Sequence, residues 1–596
     1  MATTQPAPRH LLQGGAWLIE PTNADTVMTP ERLTEEHRLI GQTTDRFVAQ
    51  EVMPQLEKLE QHDWAVVRQL IRRCAELDLF GIDVAEEYTG VNLDKVTSLI
   101  VSEEMAGAAS FGAAFGGQAN LTALPIFLFG TPAQKKKYLP RVLSGEIIGA
   151  YCLSETGSGS DALGAKTKAV KQPDGSFVLN GEKMWITNGG FADVFIVFAK
   201  VDGEHFSAFI VERAFGGLTS GKEEHKMGLH GSSTTAIIFQ DVKVPAENLL
   251  GEVGKGHKVA FNVLNFGRFK LGGMCSGGAR LAIGESAKYA AQRMQFGQPI
   301  ASFGAIKHKL GEMIVRTYGI ESLVYRTAGM IDERVNATPH DASDGSAAAA
   351  VLEEYAVEAS IAKVAGSEVL NFVLDENIQI HGGNGFVRDY PAERHFRDAR
   401  VNRIFEGTNE INRLLIPGML AKRALKGALP IIPAAKALQD ELLGPPAMAT
   451  GDDGALGDER RAVDAFKKTA LMVFGIAMQT YGTKLADQQE VLMLTADILI
   501  DVFTAESALL RAMAAQQQKS AKASLHVDAA RVLVNDIAAR IEVAARQALA
   551  VMASGDTLRT LLAGLRRLSK FVPIDTVTIR RRLADGAVAQ GGYIFR

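Results

Sequence analysis

The 596-residue sequence predicts a mainly α-helical protein with a central antiparallel β domain. Two observations lead to this fold class. Apolar residues recur at helical spacing on both sides of a middle section, and within that section short β-rich runs alternate with turn sequences such as Pro-Asp-Gly and Asn-Gly-Gly. Because strands and helices do not alternate along the chain, a Rossmann arrangement is not expected.

Changes of composition divide the chain into six segments. They are a polar lead (1–28), an N-terminal helical domain (29–147), a middle β domain (148–255), a second helical domain (256–426), a linker (427–460) and a C-terminal helical domain (461–596). The helical domains carry apolar residues three and four positions apart, as in the stretch that contains Leu39, Ile40 and Phe47. The linker is predicted from the Gly- and Pro-containing run that follows Leu442.

Composition argues against several classes of function. The net charge of −4 predicts no broad basic surface for nucleic acid. The three cysteines, Cys74, Cys152 and Cys275, are too few and too far apart for a disulfide framework or a zinc site. We therefore expect a cytoplasmic location and no bound metal. No signal-peptide pattern is visible, and no uncharged apolar run is long enough to span a membrane.

One carboxylate is distinguished by its position in the sequence. Glu406 follows the apolar pair Ile404 and Phe405 and precedes a Gly-Thr-Asn turn, where Thr408 or Asn409 is expected to begin the next helix. Apolar surroundings raise the pKa of a carboxyl group and prepare it for general-base chemistry. Glu406 is therefore a candidate catalytic base, although a nearby helix N-terminus acts in the opposite direction on its pKa.

Two further segments are candidates for binding a ligand. The stretch Tyr151–Ala169 runs from a strand into a Gly- and Ser-rich turn, whose N–H groups and hydroxyls can hold phosphate. The stretch Glu182–Gly190 places Trp185 and Thr187 on one face of a strand, which suits stacking against a flat ring. Taken alone, each pattern is equally typical of an ordinary turn or of a core tryptophan.

Six motifs, in family order, resemble the acyl-CoA dehydrogenases. They fall roughly between residues 35 and 425 and read YCLSETGSGSD, MWITNGG, GSSTTAIIFQDVKVPAENLLGE, RMQFGQPI, IQIHGGNGF and RIFEGTNEINRLL. The long extension after Leu425 is similar to the very-long-chain subgroup. The resemblance implies a helical domain, a β-barrel domain and a four-helix-bundle domain, here followed by an extra C-terminal helical domain.

The resemblance also implies FAD as the cofactor, held between the β domain and the second helical domain. The residues implied within one chain are Leu153, Ser154, Gly159, Ser160, Trp185, Thr187 and Thr408. A neighbouring subunit would complete the site with Arg293, Phe296 and the stretch from Gln379 to Gly383, so a homodimer is expected. The residues implied to bind substrate are Ser160, Arg268, Gly407, Ala113 and Gly117.

Glu406 matches the catalytic base of the family. A few relatives carry the base immediately before the arginine that matches Arg268, but that position here is Gly267, which cannot accept a proton. The implied reaction is the oxidation of an acyl-CoA to a trans-2-enoyl-CoA in fatty-acid β-oxidation, with electrons passed to electron-transfer flavoprotein. An acyl-CoA oxidase that uses oxygen, and a scaffold protein that kept the fold without catalysis, stay open as alternatives.

The acyl chain length and membrane contact are further expectations. In Gly107–Leu121 most positions are Gly or Ala, although Gly in a helix costs about 1 kcal/mol relative to Ala. Close helix packing or a deep acyl tunnel would explain this composition, and we predict a tunnel for long-chain acyl-CoA. The segment Ala421–Gly444 mixes basic and apolar residues, as in membrane-associated relatives, but Pro430 and Pro433 interrupt it. Peripheral membrane contact and an ordinary linker are both open.

Overall fold

The N-terminal part of the protein is helical. The computed structural model describes residues 11–339, 341–445 and 454–596. The helices of this part are α1 (Glu35–Phe47), α2 (Leu56–Glu60), α3 (Trp64–Glu76), α4 (Lys95–Glu104), α5 (Phe111–Gln118), α6 (Leu124–Phe129) and α7 (Pro132–Leu143). Side-chain caps fix several of their starts: Thr34 accepts the His37 N–H before α1, and Asp94 accepts the Thr97 N–H before α4.

The middle of the chain forms one sheet. Its strands are β1 (Gly149–Cys152), β2 (Lys168–Lys171), β3 (Phe177–Thr187), β4 (Val194–Val201), β5 (His205–Glu212), β6 (Leu218–Glu223), β7 (Thr234–Val244) and β8 (Leu249–Leu250). The order is β6-β7-β3-β2-β4-β5-β8, with β1 also beside β4. Most neighbours are antiparallel, as predicted, whereas β1 and β2 run parallel to β4. A register shift between Lys183 and Ile186 in β3 marks the position of Trp185.

The second helical domain carries the residues that matter most for function. It contains α8 (Gly256–Gln292), the short strands β9 (Met294–Gln295) and β10 (Gln298–Pro299), α9 (Gly304–Ala337), α10 (Ser346–Glu354), α11 (Ala356–His381), α12 (Ala392–Ala399) and α13 (Asn409–Leu425). Helices α8 and α11 lie side by side: a Cβ on Gly272 would be 3.0 Å from Ala362, and Ser286 donates a hydrogen bond to Asn377. Glycine at 272 therefore permits the close approach of the two helices.

The C-terminal region is helical, and helix also replaces part of the predicted linker. Its helices are α14 (Ile431–Leu443), α15 (Gly457–Tyr481), α16 (Gln489–Gln517), α17 (Ala523–Met552), α18 (Gly555–Leu568) and α19 (Thr576–Gln590). The segment Ala421–Gly444 is interrupted between Leu425 and Ile431, as expected at Pro430, but Pro433 does not break the helix Ile431–Leu443. Both prolines lie at the start of α14, where the first N–H groups have no intrahelical partner to lose. Residues 446–453 of the predicted linker lie outside the described residues.

The predicted polar lead is corrected in its second half. Residues 1–10 lie outside the described residues, but Ala16, Trp17 and Leu18 are fully buried. The Gly15 N–H and the Trp17 indole N–H both donate to one carboxylate oxygen of Glu358 on α11, at 2.6 and 2.9 Å. Composition hid this anchor because the partners of the segment, among them Glu358, Glu354 and Tyr355, lie more than three hundred residues away in the sequence.

A buried ion cluster joins the C-terminal domain to the rest of the chain. Glu321 on α9 accepts hydrogen bonds from Arg511 on α16 at 2.8 Å, from Arg596 at 3.0 Å and from the Tyr593 hydroxyl at 3.0 Å. Burial opposes the ionisation of Glu321, but the surrounding guanidinium groups outweigh it and hold the pKa of that carboxyl below its ordinary value. None of the helices formed by the described residues combines the length and apolarity needed to cross a membrane.

Candidate active site

A cavity of about 220 Å³ lies between the N-terminal helical domain and the second helical domain. It is lined mostly by small and apolar residues. It brings together four residues predicted from the sequence, namely Ala113, Gly117, Thr187 and Glu406. The α8 face that lines it contributes Gly267, Lys270, Leu271, Met274, Gly278 and Leu281. Their spacing of three and four residues is that of a single helical face. The cavity therefore extends along α8, with Glu406 against its Gly267 end.

The turn that carries Glu406 is held tightly. Glu406 and Gly407 both have positive φ, at 56° and 80°, which turns the chain sharply before α13. Arg268 donates from Nε to the Glu406 carbonyl oxygen at 3.0 Å, and Asn412 donates from Nδ2 to the Gly407 and Thr408 carbonyl oxygens at 2.9 and 3.0 Å. The Thr408 hydroxyl accepts the N–H of the residue three positions on and caps α13, as predicted. These hydrogen bonds hold Glu406 in a backbone conformation that a non-glycine residue rarely adopts.

The Glu406 carboxylate is poised as a base. Its Oε2 atom is buried and has no hydrogen-bond partner among the described residues. Burial raises the pKa of Glu406 to about 7, and the nearby cations of Arg268 and Lys363 oppose this rise. The predicted direction of the shift is confirmed, and it is present without substrate. A carboxyl group with a pKa near neutrality can accept a proton at physiological pH and return it readily.

Gly267 lies directly against this carboxylate. A Cβ placed on Gly267 would be 2.8 Å from Glu406 Oε2 and 2.9 Å from Cδ. The two sequence positions where the family carries its base therefore converge on one point of the cavity wall. Glycine at 267 leaves space for the Glu406 side chain. A larger residue at this position in α8 would collide with that carboxylate.

The end of β3 carries an exposed tryptophan two residues before Thr187, which lines the cavity. The Met184 N–H donates to the Ser154 carbonyl oxygen at 2.9 Å, which places the turn after β1 beside the end of β3. Trp185 has a positive φ of 58° and its residue is 58% exposed, unusual for a tryptophan. Gly159 has no atom within 4 Å of an added Cβ. An exposed ring and an open Gly-rich turn beside Thr187 fit the predicted flavin.

The remaining predicted flavin residues lie elsewhere in the chain. Arg293, Phe296, Gln379 and Gly383 are all exposed, near the C-terminal ends of α8 and α11. The end of α8 is 24 residues beyond Arg268, a distance of roughly 36 Å along the helix. The structure of one chain thus does not bring these four residues to the cavity.

Of the residues predicted to bind substrate, Ala113 and Gly117 line the cavity and Ser160, Arg268 and Gly407 do not, and three residues of the site were missed. Arg268 is buried, bonds the Glu406 carbonyl oxygen and does not line the cavity; Ser160 is exposed and does not line it either. The residues missed are Lys363 and Asn412, which hold the base turn, and Asp398, which lines the cavity. A lysine within the apolar run SIAKVAGS was the one available signal for Lys363.

Family models match four sections of the chain. They are described as the N-terminal, middle and C-terminal domains of acyl-CoA dehydrogenases, over residues 34–146, 150–242 and 254–420, and as a further acyl-CoA dehydrogenase C-terminal domain over 465–567. The fold and the matched domains define a class of FAD-dependent oxidoreductases, and in this chain the Glu406 carboxylate lines the apolar cavity. The chain belongs to the acyl-CoA dehydrogenase family. The predicted family, fold class and enzyme class are confirmed.

Individual relatives agree with this assignment. A probable acyl-CoA dehydrogenase of Bacillus subtilis is 46% identical over 580 residues, which are 96% of this chain and 97% of that protein. The crystal structure of an acyl-CoA dehydrogenase from Bacillus anthracis, complexed with FAD, has a TM-score of 0.95 and 46% identity and covers 98% of this chain and 100% of its own.

Relatives with named chain lengths match only the first two thirds of the chain. The human very long-chain specific acyl-CoA dehydrogenase is 41% identical over 61% of this chain, and the match spans about half of that protein, 53%. A short-chain specific enzyme of Megasphaera elsdenii is 39% identical over 60% of this chain and 90% of its own length. The two identities are so close that they do not discriminate between acyl chain lengths.

Proposed function

We propose that this protein oxidises long-chain acyl-CoA thioesters to trans-2-enoyl-CoA in fatty-acid β-oxidation. The observation that carries the proposal is the unpartnered Glu406 carboxylate on the wall of an elongated apolar cavity. FAD is the cofactor, since the Bacillus anthracis relative, matched over 98% of this chain, is complexed with it. Trp185, Thr187 and the turn from Leu153 to Ser160 would hold its ring and adjoining atoms. When bound, FAD supplies the acceptor for the hydrogen that leaves Cβ with two electrons.

Glu406 takes the proton from Cα of the thioester in this proposal. Raising its pKa from 4.5 to about 7 narrows the mismatch with a very weak carbon acid by about 3 kcal/mol. That is a small part of the gap, so the larger part must come from donors to the thioester oxygen. The Glu406 N–H donates no hydrogen bond to any described residue and is available for that oxygen. The fixed turn keeps this N–H and the carboxylate in one geometry.

The geometry of α8 supports long acyl chains. Gly267 and Leu281 both line the cavity, and the 14 residues between them rise about 21 Å. An extended alkyl chain advances about 1.25 Å per carbon, given a carbon–carbon bond of about 1.5 Å at a tetrahedral angle. The lined face therefore matches a chain of roughly 17 carbons. Burying each methylene contributes about 0.8 kcal/mol, so long chains would be strongly preferred.

A homodimer and an electron-carrying partner complete the proposal. Phe296 and Phe386 are 91% and 85% exposed on the surface that also carries Arg293 and Gly383. Exposed aromatic residues of this kind are typical of an interface, and a second subunit would cover them. Electron-transfer flavoprotein is the proposed acceptor, on the strength of the family resemblance. Hydrogen peroxide formed in proportion to product would instead identify an oxidase.

We also propose a cytoplasmic location with peripheral membrane contact. Cys74, Cys152 and Cys275 are all unpaired and buried, in keeping with a reducing compartment. Leu425, the last residue of α13, and Leu443, the last residue of α14, are 74% and 73% exposed. Apolar side chains next to the basic residues of this region suit a membrane surface.

Anaerobic absorbance spectra of the purified dimer test the function. Palmitoyl-CoA should bleach the flavin absorbance at a rate far above that with butyryl-CoA. The variant Glu406→Gln should keep FAD but lose bleaching by at least a thousandfold. The matched control Glu410→Gln changes an exposed carboxylate on the next turn and should bleach normally. Bleaching of Glu406→Gln at the wild-type rate would contradict the proposal.

A further inference from the structure

We propose that Lys363 is a positioning residue for the base, whose ammonium group locks the turn that presents the Glu406 carboxylate to substrate. The proposal rests on the function proposed for Glu406. Lys363 lies on α11, one helix away from the turn, and is fully buried, with 0% exposure. Nothing in its own sequence neighbourhood requires a charge, because the flanking residues are small or apolar.

The contacts of Lys363 reach both sides of the base turn. Its Nζ donates to the Gly407 carbonyl oxygen at 2.7 Å and to Asn409 Oδ1 at 2.6 Å. The Asn409 amide donates in turn to Ser367 Oγ and to Glu368 Oε1, both at 3.0 Å on the same helix α11. The turn is therefore fastened to α11 immediately after the two residues with positive φ. Loss of the ammonium would free the Gly407 carbonyl from one of its two donors.

The charge of Lys363 is unusual for a buried group. Both of its hydrogen-bond acceptors among the described residues are uncharged, so no carboxylate bonds the ammonium directly. Burial lowers the pKa of Lys363 to about 8, opposed by Cys275 and Glu406, while the cation of Arg268 adds to the lowering. Glu410 at the start of α13 is the remaining charged group that faces it. A buried cation close to a carboxylate lowers the pKa of that carboxylate, and Lys363 acts on Glu406 in this way.

The direction of that action follows from the charges around Glu406. The groups that interact with this carboxylate are Arg268 on α8, Lys363 on α11 and the Tyr151 hydroxyl on β1. Burial raises the pKa of Glu406, and the Lys363 cation opposes this rise. Removing that cation should therefore raise the pKa of Glu406 further. Because the carboxylate form is the base, the pH at which activity is lost on acidification must move upward. A residue that only filled space would not produce this change.

The experiment compares holoenzyme variants by FAD content, kcat, KM and the pH profile of kcat/KM with palmitoyl-CoA. Lys363→Met removes the charge and the donor, and Lys363→Gln removes the charge but keeps a donor. We expect Lys363→Met to lower kcat at least tenfold, with KM changed less than threefold. Both variants should shift the acidic limb upward by at least half a pH unit, and Lys363→Gln should recover part of the lost kcat.

The control is Lys135→Met on α7. Lys135 is also buried, donates to a backbone carbonyl, that of Ser343, at 2.8 Å, and has its pKa lowered by burial, but it does not line the cavity. This variant should leave kcat and the pH profile unchanged. If Lys363→Met does not retain FAD, the proposal is tested by the acidic limb of the kcat/KM pH profile of Lys363→Gln. The proposal is overturned if a folded Lys363 variant has the wild-type kcat and pH profile while Glu406→Gln is inactive. Activity in Glu406→Gln would instead overturn the proposed function.

Discussion

A single methyl group added at Gly267 tests where the Glu406 carboxylate lies. In Gly267→Ala the new Cβ would stand 2.8 to 2.9 Å from three atoms of that carboxyl group. Ordinary contact between such atoms needs about 3.5 Å, so the carboxylate must withdraw by roughly 0.6 Å. A misplacement of about 1 Å can cost about a hundredfold in rate. We therefore expect kcat to fall on the order of tenfold or more.

The assay is steady-state oxidation of palmitoyl-CoA with a dye as electron acceptor, normalised to bound FAD. Gly284→Ala is the matched control, because Gly284 lies on the same helix and an added Cβ there meets no atom closer than 3.8 Å. Both substitutions improve helix propensity by about 1 kcal/mol, so neither should lower stability through the helix itself. If Gly267→Ala turned over at the wild-type rate, Glu406 would not be packed against α8 as described.

Three other predictions concern pH, chain length and membranes. Because the pKa of Glu406 is raised to about 7, kcat/KM should fall as the pH drops through 7. Thermal unfolding should show that Glu406→Gln stabilises the fold more at pH 8, where the buried charge is present in the wild type, than at pH 5. Gly116→Leu should shorten the preferred acyl chain in assays from butyryl- to palmitoyl-CoA, because an added Cβ meets only Asn120 at 3.8 Å and the side chain can enter the cavity. Substituting Leu425 and Leu443 by Glu should abolish flotation with liposomes of anionic lipid, whereas equal flotation would rule out this contact surface.

The choice of Gly116 revises the tunnel test that sequence alone suggests. Gly117 was the obvious position, since it stands in the Gly-rich stretch and lines the cavity. A Cβ there would lie 2.8 Å from the Asn188 amide nitrogen, and that amide bonds the backbone of α5 and β1. A large side chain at 117 would therefore disturb the domain contact as well as the tunnel, and its effect would not report chain length alone.

The sequence predicted well what depends on local order. The Gly-Thr-Asn sequence predicted both the α13 cap at Thr408 and the sharp turn at Gly407, because capping and turn preferences act over a few residues, whereas the positive φ of Glu406 was not predicted. The sequence also excluded position 267 as the base, because glycine has no group that can accept a proton. That the two positions meet in space depends on how α8 packs against the turn, which no local pattern contains.

Two of the features that were missed depend on distant partners. Lys363 binds a main-chain oxygen of the turn from α11, so its role becomes visible only when that helix is placed beside the turn, whereas Asn412 bonds carbonyl oxygens only four and five residues before it. Trp17 was likewise hidden until Glu358, more than three hundred residues away, supplied its acceptor. For Lys363 and Trp17, polar contacts between remote segments carry the information.

The ion cluster around Glu321 has a consequence for the way the chain loses its structure on heating. Glu31, Glu103 and Glu321 come from the part of the chain that precedes the C-terminal domain, whereas Arg511 on α16 and Arg596, the last residue of the chain, come from that domain. Separating the halves would break all of these ion pairs together, and any charge that stayed buried without its partner would cost about 3–5 kcal/mol. Calorimetry should therefore record one cooperative melting transition for the whole chain, so that neither half survives as a folded remnant of the other.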